Sequence, residues 1–332
     1  MRRSLHEYAL TGILMQPMSV HAPVAAPRAV RTAGVAGASG YGGLELQRLL
    51  AGHPSLRATA LQARSGGYDP IDADALARCD VAFLALPHGE SRALGEALEA
   101  AGTPVVDLGS DFRVGGWTYG LPELNRDEVR AARAIANPGC YATATILGLV
   151  PLVEAGLVDG PVAVDGKSGA SGAGKTPSEK THLPDLHGGV TPYSVTGHRH
   201  IAEIEQALGR AGGGEQRVTF TPHLLPTSRG LLVTAYVRLR EPLDQAALDE
   251  LYASRYAGER FVRLGGTVAP QRLAGSNVCH VAAFADERTG SAIVTSALDN
   301  LVKGAAGQAI QNANLVLGLD EDAGLPELGL WP

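Results

Sequence analysis

Two residue clusters in this 332-residue sequence carry the chemistry of a covalent catalyst. The first is Asn137-Pro138-Gly139-Cys140-Tyr141, set between a short apolar run (134–136) and a helical run (142–150). Asn-Pro-Gly is a turn signal, so the cysteine falls where a loop enters a helix. Unsatisfied N–H groups and the positive dipole end at a helix N-terminus stabilise anions, and such a setting is expected to pull a thiol pKa down. The same pattern also suits a small buried hydrophobe, the ordinary fate of a lone cysteine. The second cluster is Gly197-His198-Arg199-His200, followed by Ile201, Ile204, Ala207 and Leu208 at helical spacing. Both histidines therefore sit at a helix start, where the neutral imidazole is favoured. They could be cap residues, or one could serve Cys140 as base and acid. No paired cysteines or HExxH-type spacing supports a zinc site, so no metal is expected.

A third feature suits phosphate. The apolar stretch Val30 to Val35 runs into Gly37-Ala38-Ser39-Gly40-Tyr41-Gly42-Gly43 and then an amphipathic stretch, Leu44 to Leu50. Strand, glycine-rich turn and helix is the context in which the backbone can approach a pyrophosphate. A second strand, Arg57 to Ala63, ends without the acidic residue that would hold an NAD ribose; Arg64 and Ser65 stand there instead. A cation and a hydroxyl fit a 2′-phosphate, so NADP(H) is the expected cofactor. Strand and helix signals then alternate: strands at 81–86 and 104–108, with a helix at 90–100 between them. This alternation predicts a doubly wound parallel sheet of Rossmann type. Pro87-His88-Gly89 and Asp111-Phe112-Arg113 both follow strand ends, where ligands of such sheets bind. Arg113 could clamp a substrate anion or pair locally with Asp111.

Past residue 160 the texture changes. Gly169-Ala170-Ser171-Gly172-Ala173-Gly174-Lys175-Thr176 matches the phosphate-loop pattern of NTPases residue for residue, after a strand at 162–165. Yet Pro184 and the lack of an apolar period leave no helix behind it. A flexible glycine loop over an active site is the preferred reading, with Lys175 reaching a leaving phosphate. Strands at 217–225, 231–240, 278–285 and 291–297 and a helix at 243–256 predict an α+β unit with a mixed or antiparallel sheet. The Ala- and Gly-rich stretch from Asp299 to Leu317 is expected to return to the first unit.

The length favours two domains. They are expected at 31–139 plus 299–332, binding NADP, and at 140–298, catalytic. Residues 1–30 carry a broken apolar stretch and several prolines; they read as a disordered extension, with Met18 a candidate start, rather than as a signal peptide. Net charge −6 provides no basic footprint for nucleic acid or a membrane surface. Three scattered cysteines suit a reducing compartment such as the cytoplasm.

Taken in order, these pieces resemble the N-acetyl-gamma-glutamyl-phosphate reductases of arginine biosynthesis, within the aspartate-semialdehyde dehydrogenase superfamily. The resemblance runs over about residues 31–318. It is carried by Gly37-Ala38-Ser39-Gly40-Tyr41, Ala85-Leu86-Pro87-His88-Gly89, Asp111-Phe112-Arg113, Pro138-Gly139-Cys140-Tyr141, Ser168-Gly169 with Ser171 to Gly174, His198-Arg199-His200 with Glu203-Ile204, and Asp299-Asn300-Leu301-Val302-Lys303-Gly304. It implies that Cys140 is the nucleophile and His198 the general acid/base. It implies that the glycine loop and Asn300 hold NADP; with the residues read above, Gly37, Ser39, Gly40, Tyr41, Gly42, Arg64, Ser65, Pro87, Ser168, Gly169 and Asn300 are expected to line the NADP site. Arg113, Lys175 and His200 are expected on the acyl-phosphate substrate, and a homodimer or homotetramer is implied. The related lysine-pathway reductase, acting on N-acetyl-aminoadipyl phosphate, shares most of these motifs.

Overall fold

The computed structural model describes residues 30–330. The extension expected over 1–30 therefore lies outside the described residues, Val30 apart, as do Trp331 and Pro332. The first sheet is six-stranded and wholly parallel, in the order β2-β1-β3-β4-β6-β5. Its strands are β1 (Arg31–Ala36), β2 (Leu56–Gln62), β3 (Val81–Leu84), β4 (Val105–Asp107), β5 (Thr118–Tyr119) and β6 (Ala134–Ala136). All of β3, β4 and β6 is buried, which is why these strands read as unbroken apolar runs rather than alternating ones. The helices of this half are α1 (Tyr41–Ala51), α2 (Ala73–Ala77), α3 (Arg92–Ala100) and α4 (Pro122–Ala131). The sequence pattern missed β5, α4 and the five-residue α2. β5 is too short for a period, and α4 is polar along its length and kinked at Asn125.

Helix α5 (Cys140–Glu154) leaves the first sheet and becomes the spine of the second layer. Every residue from Tyr141 to Val153 is buried, as expected for a helix that is apolar all round. It packs on a seven-stranded sheet ordered β11-β12-β13-β10-β7-β9-β8. The strands are β7 (Val162–Gly169), β8 (Thr191–Pro192), β9 (Val218–Leu225), β10 (Leu231–Arg238), β11 (Val262–Leu264), β12 (Cys279–Asp286) and β13 (Ser291–Leu298). The sheet is mixed: β7 with β9 and β11 with β12 are parallel, and the other pairs antiparallel. Between them lie α6 (Leu183–Leu186), α7 (His200–Ala211) and α8 (Gln245–Arg255).

After β13 the chain makes a π-helical turn, Val302–Ala306, and then α9 (Gly307–Val316). Helix α9 packs against α4, β4 and α1, so the C-terminal stretch does return to the first sheet. The π-turn touches both α1 and α5 and so joins the two layers beside Cys140.

Candidate active site

Cys140 is the first residue of α5, capped by Gly139 in extended conformation. The loop before it is tightly held. Asn137 accepts at its carbonyl from Arg113 Nε (2.8 Å), donates from Nδ2 to the Ala305 carbonyl (3.1 Å) and accepts at Oδ1 from Asn312 (3.0 Å). Gly139 is obligatory on packing grounds: a Cβ there would lie 2.3 Å from His200 Nε2 and 2.7 Å from an Arg113 nitrogen. On the other side, a Cβ at Gly304 would lie 2.6 Å from that of Cys140, so the π-turn closes directly on the cysteine.

His198 reaches this place from just before α7, which packs beside α5. Its ring stands edge-on to Tyr141, the residue after the cysteine, at 5.8 Å, and 4.6 Å from the ring of His200. Phe220 and Tyr193 complete the enclosure at 5.3 and 5.7 Å. His198 Nδ1 accepts a hydrogen bond from the backbone N–H of His200 (3.2 Å), so it satisfies the first N–H of α7 from outside the helix. That bond assigns the proton of the neutral ring to Nε2. Burial, then the charge of Arg199, then His88 push the His198 pKa down to about 4. His198 thus stands against the residue that follows Cys140 and against His200, which borders the cysteine loop.

The thiol itself departs from the expected lowering. Burial raises the Cys140 pKa above its ordinary value. Arg199, the backbone N–H of Tyr141 and Arg113 pull it back, and Glu203 opposes them. The helix terminus is present as foreseen, but desolvation of the thiolate outweighs it. At rest the pair is a neutral thiol beside a neutral imidazole.

Arg113 is not placed as the expected clamp. It is 5% exposed, and its three nitrogens donate to the Asn137 carbonyl, to Glu203 Oε1 (2.9 Å) and to the Leu108 carbonyl. Its ion-pair partner is Glu203 on α7, not Asp111; Asp111 instead accepts from the N–H groups of Gly89 and Ser91. Glu203 also accepts from Tyr119 (2.8 Å) and from the Gly139 N–H (3.1 Å). It is the hub that fixes the cysteine loop, and its sequence signal was only its place one turn after His200. His200 is buried against this hub, 3.7 Å from Glu203, and its Nδ1 has no partner among the described residues. The cation left facing the cysteine is Arg199, exposed and with no ion pair among the described residues. The sequence displayed it between the two histidines, yet its own spacing suggested no role.

The residues expected to hold NADP fall into two groups. In the first, Gly37 has φ +87° and a Cβ there would strike the Ala85 carbonyl at 2.2 Å; Gly43 would strike the Gly37 carbonyl at 2.2 Å. Gly40 caps α1, Tyr41 opens it, and the first turn holds neither an acidic residue nor a side-chain cap. This helix end is therefore open to an anion, as a pyrophosphate needs. Gly42 is less demanding, since a Cβ would meet only ordinary contacts. Arg64 and Ser65 line a cleft of about 530 Å³ beside the turn, with Arg64 paired to Glu90 at 2.8 Å. Pro87 is exposed at the end of β3. The donor set, with Gln62 rather than an acid at the end of β2, fits a phosphorylated ribose. In the second group, Ser168, Gly169 and Asn300 lie together. Asn300 bonds Ser171 Oγ (2.8 Å) and the Gly230 N–H (2.9 Å), and Gly169 packs on the Ser228 backbone. The phosphate-loop match at 169–176 holds a 3-10 turn and is followed by another and by the four-residue α6, not by an NTPase helix.

Comparison with known proteins agrees with this geometry. Residues 32–132 match the family model described as semialdehyde dehydrogenase, NAD binding domain. Residues 140–300 match semialdehyde dehydrogenase, dimerisation domain. Among solved structures, aspartate semialdehyde dehydrogenase II of Vibrio cholerae complexed with ASA superposes with TM-score 0.71 at 18% identity, covering 88% of this chain and 99% of that one. Aspartate semialdehyde dehydrogenase with NADP from Candida albicans gives 0.65 at 18%, covering 87% and 99%. At these identities the match speaks for the fold. The N-acetyl-gamma-glutamyl-phosphate reductases of Desulforudis audaxviator and Thermus thermophilus are each 43% identical over 90% of this chain, covering 99% and 100% of their own length. The chain belongs to the N-acetyl-gamma-glutamyl-phosphate reductase family.

Proposed function

We propose that this protein reduces N-acetyl-L-glutamyl 5-phosphate to the 5-semialdehyde and phosphate, with Cys140 as the acyl carrier. The observation that carries the reading is the convergence of Cys140, His198 and Arg199 at the N-terminal ends of α5 and α7. The turn from Gly37 to Gly43, with Arg64, Ser65 and Pro87, would hold NADPH, and Ser168, Gly169 and Asn300 would border its reactive end. When bound, NADPH supplies the hydride.

The residues themselves do the rest. The acyl phosphate arrives as a dianion, and Arg199 is the cation that meets it. Neutralising Arg199 removes one of the charges that hold the His198 pKa down, so the imidazole gains affinity for the thiol proton. To take it on Nε2, the ring must first exchange with solvent to the tautomer protonated on Nδ1, losing its Nε2 proton and releasing the His200 N–H. Cys140 sulfur then bonds the acyl carbon, and the C–O bond to phosphate breaks with its electron pair on phosphate. Splitting the reaction at a thioester replaces a poor hydride acceptor by a good one. The Tyr141 N–H, one of the groups that pull the thiol pKa back down, would serve as a donor to the oxyanion. Once the acyl carbon has been reduced, the S–C bond breaks and His198 returns the proton to sulfur.

The test is NADP reduction with phosphate and each of two semialdehydes, N-acetyl-glutamate and N-acetyl-aminoadipate. One methylene is worth only about 1–3 kcal/mol in a pocket, so a preference of roughly 10–200-fold for the shorter one is expected. A preference for the longer semialdehyde would reassign the protein to the lysine-type reaction. Arg199→Met should raise the KM for phosphate in the same assay.

We further read residues 31–139 with 299–332 as the nucleotide half, residues 140–298 as the catalytic half, and the enzyme as cytoplasmic. Helices cover one face of the seven-stranded sheet; on the other, Tyr236, Ile293 and Phe284 stand side by side in cross-strand register, Tyr236 and Phe284 about half exposed. A second copy of the chain is the occupant this apolar row suits, which makes the oligomer at least a dimer. Tyr236→Asp should halve the mass seen in sedimentation. A wild-type monomer, or a variant of unaltered mass, would remove this face from consideration.

A further inference from the structure

Beyond Gly169, the phosphate-loop match at 169–176 has no part in the reaction above, and its lysine is left without a role. That lysine reaches the other layer of the molecule. Lys175 follows Gly174, which turns the chain at φ +88°, and its Nζ donates to the carbonyl of Ser39 at 3.2 Å. Ser39 belongs to the glycine turn before α1, in the other layer of the molecule. The near end of the loop is pinned: the N–H groups of Gly169, Ala170 and Ser171 donate to Gly230, Thr227 and Ser228. The loop thus starts fixed to the second sheet and ends across the crevice, on the turn that faces the dinucleotide. A Cβ at Gly66 would lie 3.4 Å from the Ser39 Cβ, so the Arg64–Gly67 segment borders the same spot. Among the described residues no carboxylate pairs with Lys175, and only one of its three N–H donors is engaged.

We infer that Lys175 is a strap for the cofactor rather than a ligand of the leaving phosphate. With the dinucleotide in place, Nζ bonds a phosphoryl oxygen at the glycine turn and holds the two layers closed over it. The ligand chemistry is a phosphate ester of the dinucleotide, either the pyrophosphate or the 2′-phosphate. The inference rests on the Gly37–Gly43 turn being the dinucleotide site.

Fluorescence titration of NADPH into wild type, Lys175→Met and Lys175→Arg tests it. The methionine variant should bind about tenfold more weakly, the loss of one charge-assisted hydrogen bond, and arginine should recover most of it. Titrating ADP-ribose and its 2′-phosphate into the same proteins separates the two sources. Equal losses assign the pyrophosphate, and a loss confined to the phosphorylated ligand assigns the 2′-phosphate. The KM for inorganic phosphate should stay unchanged in Lys175→Met. An unaltered NADPH affinity overturns the strap, whether or not the phosphate KM rises. Wild-type protein that fails to bind NADPH removes instead the reading of the glycine turn.

Discussion

Cys140→Ser is expected to lower turnover by at least about 10³-fold while NADPH affinity stays within roughly twofold of wild type. The size follows from what sulfur supplies. A thiol near its ordinary pKa is a few per cent thiolate at neutrality, whereas a serine hydroxyl in the same place is not ionised at all. Burial raises the Cys140 thiol, but it also penalises a serine alkoxide, and more steeply because that ion is smaller and more strongly hydrated. An ester at residue 140 would in addition be a poorer hydride acceptor than a thioester. The serine is nearly isosteric, so the cradle of Gly139, Gly304 and His200 should remain as it is. The checks are phosphate-dependent NADP reduction with the semialdehyde, NADPH fluorescence, and mass spectrometry of protein mixed with acyl phosphate alone. Wild type should gain one acyl mass on the peptide containing residue 140, and the variant none. A serine variant turning over near the wild-type rate would leave the covalent mechanism with no support.

What could be read in the sequence was local. The Asn-Pro-Gly turn and the apolar run behind it fixed Cys140 at a helix start, because both signals lie within a few residues of it. The parallel sheet was legible for the same reason: each strand, turn and helix carries its own period. What failed depended on distant partners. For Arg113 the sequence offered a substrate anion or Asp111 two residues away, but the carboxylate it pairs with is Glu203, 90 residues on. The sign of the Cys140 pKa shift was missed because its burial comes from α7 and from the π-turn at Val302–Ala306. The mixed second sheet was among the expected forms, but which strands run parallel, β7 with β9 and β11 with β12, is set by pairing between distant segments and was not legible in strand patterns. Glycines were more informative than charges. Gly139, Gly37 and Gly43 mark contacts under 2.5 Å for any added Cβ, and each lies in a motif that the sequence singled out.

Lys303 is the extreme case of a residue whose surroundings were unreadable, and its loss should cause a large fall in stability. It sits in an Ala- and Gly-rich stretch, yet it has no exposed surface in the fold. Its Nζ donates to Glu123 Oε1 at 2.5 Å and to Gln311 Oε1 at 2.8 Å, and lies 5.4 Å from the centre of the Phe261 ring. Burial pushes the Glu123 carboxyl up, but Lys303 and Gln311 more than offset it, and its pKa ends below the ordinary value. The carboxylate is therefore charged and depends on the lysine. Lys303→Met keeps the length of the side chain and strands that charge, which costs about 3–5 kcal/mol in buried pairs. Pairing the change with Glu123→Leu removes both charges and should recover most of the loss, since a buried pair is often replaceable by apolar groups. Urea unfolding of the three proteins measures this directly. A lysine variant within about 1 kcal/mol of wild type would show that the pair is not the anchor argued here. The consequence reaches the site, because the residue after Lys303 is Gly304, whose backbone closes on Cys140. The double variant is expected to fold with the π-turn less firmly seated, and so to bind NADPH normally while alkylation of Cys140 by iodoacetamide becomes faster.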